Sequence, residues 1–302
     1  MSPDPLVVIT GATGVGKTAL ALELARSLDA EIVSADSRQI YRYMDVGTAK
    51  PTIAERAAVV HHMVDVAYPD ERYSVVEFRR AALAVIEGIR RRGHRAIVVG
   101  GSPHYIEAVV DGLRPAPRDD RLRAWLDRAE SGEGGAARLD AWLERLDGAA
   151  SREIDPRNRR RVLRAIEVML LTGRRFSEVG RQRDPPLDAI FIALHRERDE
   201  LYKRIRARLD AMVAAGWLDE LRLLLAMGYS TALPSMSATG YGELAGVVRS
   251  ERPLAEALQR VEFATHAFVR RQETWLRRDA RVQWVEAAGP GLREEVLAMV
   301  QR

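Results

Sequence analysis

The chain has 302 residues, 47% of them hydrophobic, enough for a sizeable core built as one large domain or as a domain carrying an insertion. It contains no cysteine, which excludes a disulfide framework, a thiolate nucleophile and a Cys-ligated zinc site. The formal net charge is +4, and neither a secretory-leader pattern nor an apolar run of membrane-spanning length is present, so a soluble, cytoplasmic protein is expected, with no membrane partner.

Lysine occurs only at Lys17, Lys50 and Lys203; the other basic residues are arginines, whose planar guanidinium suits bidentate contact with phosphate. A chain-wide arginine preference says little by itself, and the places where arginines cluster say more. The first element is an apolar run, Leu6 to Thr10, which reads as a buried strand. It leads into Gly11-Ala12-Thr13-Gly14-Val15-Gly16-Lys17-Thr18, after which Leu20, Leu24 and Leu28 mark a helix. Strand, glycine-rich turn and helix is the context of a phosphate-binding P-loop. The glycines let backbone N–H groups curl around phosphate oxygens. The helix N-terminus adds partial positive charge, Lys17 adds a full one, and Thr18 offers a hydroxyl to a magnesium ion.

Glu31 to Ala35 reads as a second parallel strand with Asp36 at its carboxyl end, the edge where ligands bind in open α/β sheets. From position alone Asp36 can be a magnesium ligand, a general base or a structural cap. His61-His62 has no acidic partner at ligand spacing and reads as structural. The spacing predicts a helix from Tyr73 to Arg92, then a strand Arg95 to Val99 ending in Gly100-Gly101-Ser102. A nucleotide-hydrolysing P-loop protein usually carries an acid after such a strand to hold magnesium. Two glycines and a serine there weaken the hydrolysis reading and leave Asp36 as the acid that matters.

From about Arg114 the texture changes, with Pro115 and Pro117 marking a boundary. Amphipathic helices follow around Leu122-Trp125-Leu126 and Leu139-Trp142-Leu143, separated by a flexible Ser131 to Gly135. In the next helix Asp155 is expected as N-cap and Pro156 as first residue, with Arg157, Arg160, Arg161 and Arg164 on one face. That stripe is either a polyanion footprint or a solvated face. Arg181-Gln182-Arg183 extends the basic character before Ala189 to Leu194 returns to the sheet. The expected fold is α/β: a P-loop NTPase-like core with a parallel sheet, residues 1–113 and 188–302, plus an all-helical insertion, 114–187. The remainder is mostly helical, including a long helix from Leu254 to Leu276.

Gly11 to Thr18, Ser34 to Arg42, Met44 to Pro51, His61 to Asp65, Val99-Gly100-Gly101, Arg161 to Val168 with Thr172-Gly173, and Arg271 to Trp275 together resemble the tRNA dimethylallyltransferase family, nearly end to end and in order. The resemblance implies transfer of a dimethylallyl group from dimethylallyl diphosphate to N6 of the tRNA adenosine next to the anticodon, with Mg2+ at Thr18 and a monomeric enzyme. It implies Asp36 as general base, with Lys17 and Ser102 also at the reaction; Ser102 stands where the family usually has threonine. It implies tRNA contact by Asp36, Ser37, Arg38, Gln39, Ser102, Arg123 and the segment Arg160, Arg161, Val162, Leu163, Arg164. His104 stands for a family leucine, Gly242 for a basic residue and His266 for an arginine.

The chemistry of the residues agrees with that reaction. An allylic diphosphate ionises readily, and P-loop amides with Lys17 can stabilise the departing diphosphate. The exocyclic amine is a poor nucleophile, so a carboxylate such as Asp36 would orient it and take its proton. Three rivals share parts of the pattern: a small-molecule P-loop kinase, a prenyltransferase acting on free adenine nucleotides, and a non-catalytic RNA-binding protein.

Overall fold

The protein is described here from a computed structural model, which covers residues 4–114, 116–179 and 183–301. Pro115, Arg181 and Gln182, singled out above, lie outside the described residues. The chain divides into two compact units, one formed by Met1–Val110 with Leu187–Arg302 and the other by Asp111–Pro186.

The first unit is built on six strands: β1 (Leu6–Gly11), β2 (Ala30–Ser34), β3 (His61–His62), β4 (Arg95–Val99), β5 (Ala189–His195) and β6 (Val282–Glu286). They form one all-parallel sheet in the order β3-β2-β4-β1-β5-β6, which is the α/β class expected from the sequence. β1 is buried along its whole length, so it reads as an unbroken apolar run rather than an alternating one. β3 and β6 at the edges are absent from the sequence reading. β3 is two residues long, and β6 exposes Gln283, Trp284 and Glu286, leaving no apolar run to detect. Helices Lys17–Leu28, Val75–Arg91 and Leu254–Leu276 cover the sheet, contributing Leu24, Phe78, Ile89, Val261 and Val269 to the core.

Segments that carry the family resemblance prove architectural as often as chemical. The buried Lys50 ammonium donates to Tyr41 O at 2.5 Å, Asp45 Oδ1 at 2.6 Å and Asp65 Oδ1 at 2.5 Å, and Arg56 takes the other oxygen of Asp65 at 2.6 Å. One cation thus pins the stretch from Tyr41 to Lys50 onto the segment after β3. The Glu220 carboxylate accepts the amides of Asp45, Val46 and Gly47 at 2.6, 2.6 and 3.0 Å, and the Tyr241 hydroxyl at 2.7 Å. His62 Nε2 lies 2.5 Å from Glu31 Oε2, a carboxylate that Arg92 also holds.

The second unit holds helices Asp120–Ser131, Gly135–Leu146, Gly148–Glu153, Arg159–Thr172 and Phe176–Val179 around Leu126, Leu139, Leu143, Val162, Leu163 and Ile166. It begins at Asp111, before the composition boundary, and ends at Pro186, one residue short of it; Leu113 bridges Arg183 and Gly112 O accepts the Asp184 amide. The basic helix begins later than its sequence suggests. Asn158 is the N-cap, accepting the Arg161 amide, while Asp155 turns back to bind Arg157 before the helix starts. An Asx turn at Asp155 outcompetes a helical first turn there.

The Lys50 cluster gives a stability prediction. Lys50→Met should destabilise the chain by about 2–4 kcal/mol, because it strands the Tyr41 carbonyl and leaves Asp65 only its Arg56 partner. Urea unfolding with an unchanged m-value checks it, and a loss below about 0.5 kcal/mol contradicts it.

Candidate active site

β2, β4 and β1 are adjacent and parallel, so the segments leaving their carboxyl ends emerge along one edge of the sheet. β1 delivers the P-loop, β2 delivers Asp36, and β4 delivers Gly100-Gly101-Ser102.

The P-loop backbone can be made only with glycine at its tightest point. Gly11 has φ 135°, and a Cβ there would stand 2.5 Å from the Leu194 carbonyl oxygen of β5. Helix Lys17–Leu28 starts at Gly16, which supplies no side-chain cap, so the first-turn amides remain open to an anion. Ala12 and Val15 are buried beneath the loop, Gly14 packs toward Ile205, and Thr18 is exposed in the first helical turn. Arg196 and Arg204 brace the loop from outside by donating to Val15 O at 3.0 Å and Gly14 O at 3.3 Å.

Lys17 Nζ donates to Gly11 O at 3.0 Å and Ala12 O at 2.8 Å, curling the ammonium over its own loop. Burial lowers its pKa to about 8; Asp36 opposes that shift and Arg208 adds to it. Burial likewise holds Arg208 below its usual range, with Asp36 again opposing. Lys17, Arg208 and Asp36 therefore form one electrostatic group of two cations and a carboxylate. Arg208 is a residue that sequence reasoning missed. It lies on helix Arg198–Ala214, far from the P-loop in sequence, among many arginines with no motif of its own.

Asp36 is half-buried, and its Oδ1 accepts the Arg38 amide at 2.8 Å. That fixes the carboxylate and leaves its second oxygen without a hydrogen-bond partner among the described residues. Ser102 Oγ accepts the Ser37 amide at 3.0 Å, and the Ser102 amide donates to Ala35 O at 3.2 Å, so the β4 loop holds the β2 loop directly. Arg38 reaches Pro234 O at 2.9 Å. Gln39 is turned inward: its oxygen accepts Ser34 Oγ at 3.0 Å, and its amide nitrogen donates to Ala49 O at 3.1 Å. The Gln39 side chain thus anchors its own loop, beside Ser37 and Arg38.

Gln272 is the second residue missed. Its side chain, in a residue 3% exposed, accepts the Thr13 amide at 2.9 Å and donates to Gly101 O at 2.8 Å, tying the P-loop to the β4 loop. A Cβ at Gly101 would lie 2.3 Å from the Gln272 nitrogen, so glycine is needed for the bridge to form. Gly11, Gly101, Pro103, Gln272 and Trp275 line a narrow crevice at this point. The only sequence signal was the Arg271 to Trp275 segment, which gives no hint of what Gln272 faces.

Two family departures also have a place. A Cβ on Gly242 would meet nothing within 4 Å, so no packing demands glycine there. His266 stacks on Tyr202 with ring centroids 3.6 Å apart, and burial lowers its pKa, so it does not replace an arginine's charge. Among the described residues no three His, Cys, Asp or Glu side chains gather as a metal site. A magnesium ion here would take Thr18 as a protein oxygen and draw its other ligands from phosphate and water, a mode that suits that ion.

In the helical unit the proposed RNA contacts separate. Arg160 and Arg161 are exposed, and their guanidinium groups make no hydrogen bond or ion pair with a described residue. Arg123 pairs with Asp127 at 3.1 Å. Arg164 is spent internally, on Pro117 O at 2.8 Å, Ala116 O at 2.7 Å and the buried Glu167 at 2.8 Å. Val162 and Leu163, each 1% exposed, are core residues of the unit, so their side chains are not contacts for RNA. The heptad that places Arg160 and Arg161 outward necessarily turns the next two positions inward.

The profile of one family, IPP transferase, matches residues 39–279, and that of isopentenyl transferase matches residues 5–64. The chain is 43% identical to the tRNA dimethylallyltransferase of Thermomicrobium roseum over 99% of its own length and 91% of that protein. It is 47% identical to the tRNA dimethylallyltransferase of Roseiflexus castenholzii over 99% of its length and 98% of that protein. The crystal structure of the tRNA isopentenylpyrophosphate transferase of Bacillus halodurans aligns with TM-score 0.72 and 33% identity, over 99% of this chain and 97% of that one. On fold, strand-end site and end-to-end similarity together, the chain belongs to the IPP transferase family.

Proposed function

We propose that the chain transfers a dimethylallyl group from dimethylallyl diphosphate to N6 of the tRNA adenosine 3′-adjacent to the anticodon, releasing diphosphate. The observation that carries this reading is the joining of a P-loop, through Gln272 to Gly101 and on through Ser102 and Ser37, to a carboxylate with one open oxygen. On this reading the P-loop amides, Lys17 and Arg208 hold the diphosphate and stabilise its charge as the C1–O bond breaks. N6 attacks C1, and the free oxygen of Asp36 orients the amine and accepts its proton. Magnesium, held at Thr18, would neutralise part of the diphosphate charge when bound. Ser102 positions the acceptor-side loop, and Ser37 and Arg38 lie beside it. Arg160 and Arg161, with Arg123, supply phosphate contacts that position the RNA.

A kinase reading leaves the exposed basic helix of the second unit without a task. The free-nucleotide prenyltransferase has the same donor chemistry, so the acceptor decides between them. Incubation with labelled dimethylallyl diphosphate, magnesium and either AMP or an anticodon stem-loop should label the stem-loop and leave AMP unlabelled; label in AMP alone contradicts the proposal. In the same assay Asp36→Ala should lower kcat about 100-fold or more while tRNA binding stays within about twofold.

The Lys17 ammonium gives a pH signature. The charged form binds the diphosphate, and it is lost in the free protein as pH rises through about 8. kcat/KM for the donor should therefore fall above pH 8, by about tenfold per unit well beyond it, while kcat changes less. Lys17→Arg should flatten that limb; a profile identical to wild type contradicts the assignment.

Gln272→Leu would leave the Thr13 amide and the Gly101 carbonyl unpaired, at about 1–3 kcal/mol. The expected reading is a drop of about 10–100-fold in kcat/KM for the donor with tRNA affinity unchanged. Steady-state kinetics on both substrates tests it, and an equal loss on both would make Gln272 merely structural.

A further inference from the structure

The helical unit carries an exposed aromatic pair that the transfer chemistry leaves unused. Trp125 on helix Asp120–Ser131 and Trp142 on helix Gly135–Leu146 are 43% and 44% exposed, with ring centroids 6.3 Å apart and planes 26° from parallel. The same two helices bury Leu126, Leu139 and Leu143, so the tryptophans sit at the border of the buried ridge rather than within it. Each tryptophan has an arginine four residues before it and another three residues after it, which are neighbours on the same helical face. These are Arg121 and Arg128 around Trp125, and Arg138 and Arg145 around Trp142. All four are exposed, and none of their side chains makes a hydrogen bond or ion pair with a described residue.

The nearby acids do not compensate them. Asp120 pairs with Arg118, Asp127 with Arg123, and Glu130 and Asp140 both with Arg159. Glu144 lies two residues from Trp142 and so on another side of its helix, and Glu133 is in the connecting turn. The result is two indole rings set among four uncompensated cations. That combination fits a polyanion that also offers flat apolar surfaces, which describes unpaired nucleobases between phosphates. A second copy of the chain would bring the same four charges against themselves across a two-fold axis, which is unfavourable.

We propose that Trp125 and Trp142 form a stacking platform for unpaired bases of the tRNA substrate, with Arg121, Arg128, Arg138 and Arg145 holding the flanking phosphates. This rests on the reading of the chain as a tRNA-modifying enzyme. It adds a surface whose task is affinity for RNA and not group transfer.

The test uses the full chain with a tRNA transcript. Trp125→Ala/Trp142→Ala should weaken tRNA binding by about tenfold, and raise the tRNA KM by the same factor, with kcat and the donor KM unchanged. Trp125→Phe/Trp142→Phe should restore most of that loss. Replacing the four arginines by glutamine, which leaves the packing untouched, should reduce the slope of log affinity against log salt by about two to four. Thermal melting checks each fold; if the alanine pair unfolds, the phenylalanine and glutamine variants decide the matter. Equal affinity and equal salt slope in all variants would overturn the proposal. So would a wild-type dimer that the alanine pair converts to monomer. Prenyl transfer by the wild type with tryptophan-independent binding removes the platform alone; tryptophan-dependent tRNA binding without transfer removes the transferase reading and leaves the platform standing.

Discussion

One buried amide holds the reaction edge of this protein together. Gln272 offers an acceptor to the P-loop at Thr13 and a donor to the β4 loop at Gly101, and no other side chain among the described residues bridges the two loops. From Gly101 the linkage passes to Ser102, and from its hydroxyl to the amide of Ser37, next to Asp36. Phosphate cradle and carboxylate are thereby parts of one hydrogen-bonded assembly. A donor and an acceptor substrate must meet within about an atom's width for transfer to occur, and independently mobile loops would not keep that distance.

The electrostatics of the edge follow from that closeness. Lys17 and Arg208 lie near enough to Asp36 for each cation to feel its charge, and burial works against both cations. In the proposed reaction a diphosphate would relieve this unfavourable state by supplying negative charge, and binding energy would be concentrated on the group that carries more charge as the bond to carbon breaks.

Around the site, much of what makes the sequence distinctive is scaffolding. Lys50, Asp45 and Asp65 belong to the segments that carry the family resemblance, yet they form an ion cluster around the buried Lys50 ammonium. Gln39 anchors its own loop. Glu220 gathers three backbone amides that no helix or strand satisfies. Each binds irregular backbone that would otherwise be left with unpaired polar groups, the cost of placing long loops at a strand edge.

Local rules were enough to read β1, the P-loop, the following helix, β4 and the long helix Leu254–Leu276 from the chain alone, because each has a full apolar period or a fixed turn chemistry within its own span. The same holds for Asp36, which a strand end places without knowledge of any neighbour. Other decisions belonged to the tertiary structure. Whether Val162 and Arg164 face solvent depends on which helices pack against them. The edge strands β3 and β6 exist only because a sheet is there to pair with. The contributions of Gln272 and Arg208 required residues 259 and about 190 positions from the P-loop to arrive beside it. A contact between such distant segments is set by the packing of whole elements, and no short window of sequence contains that information.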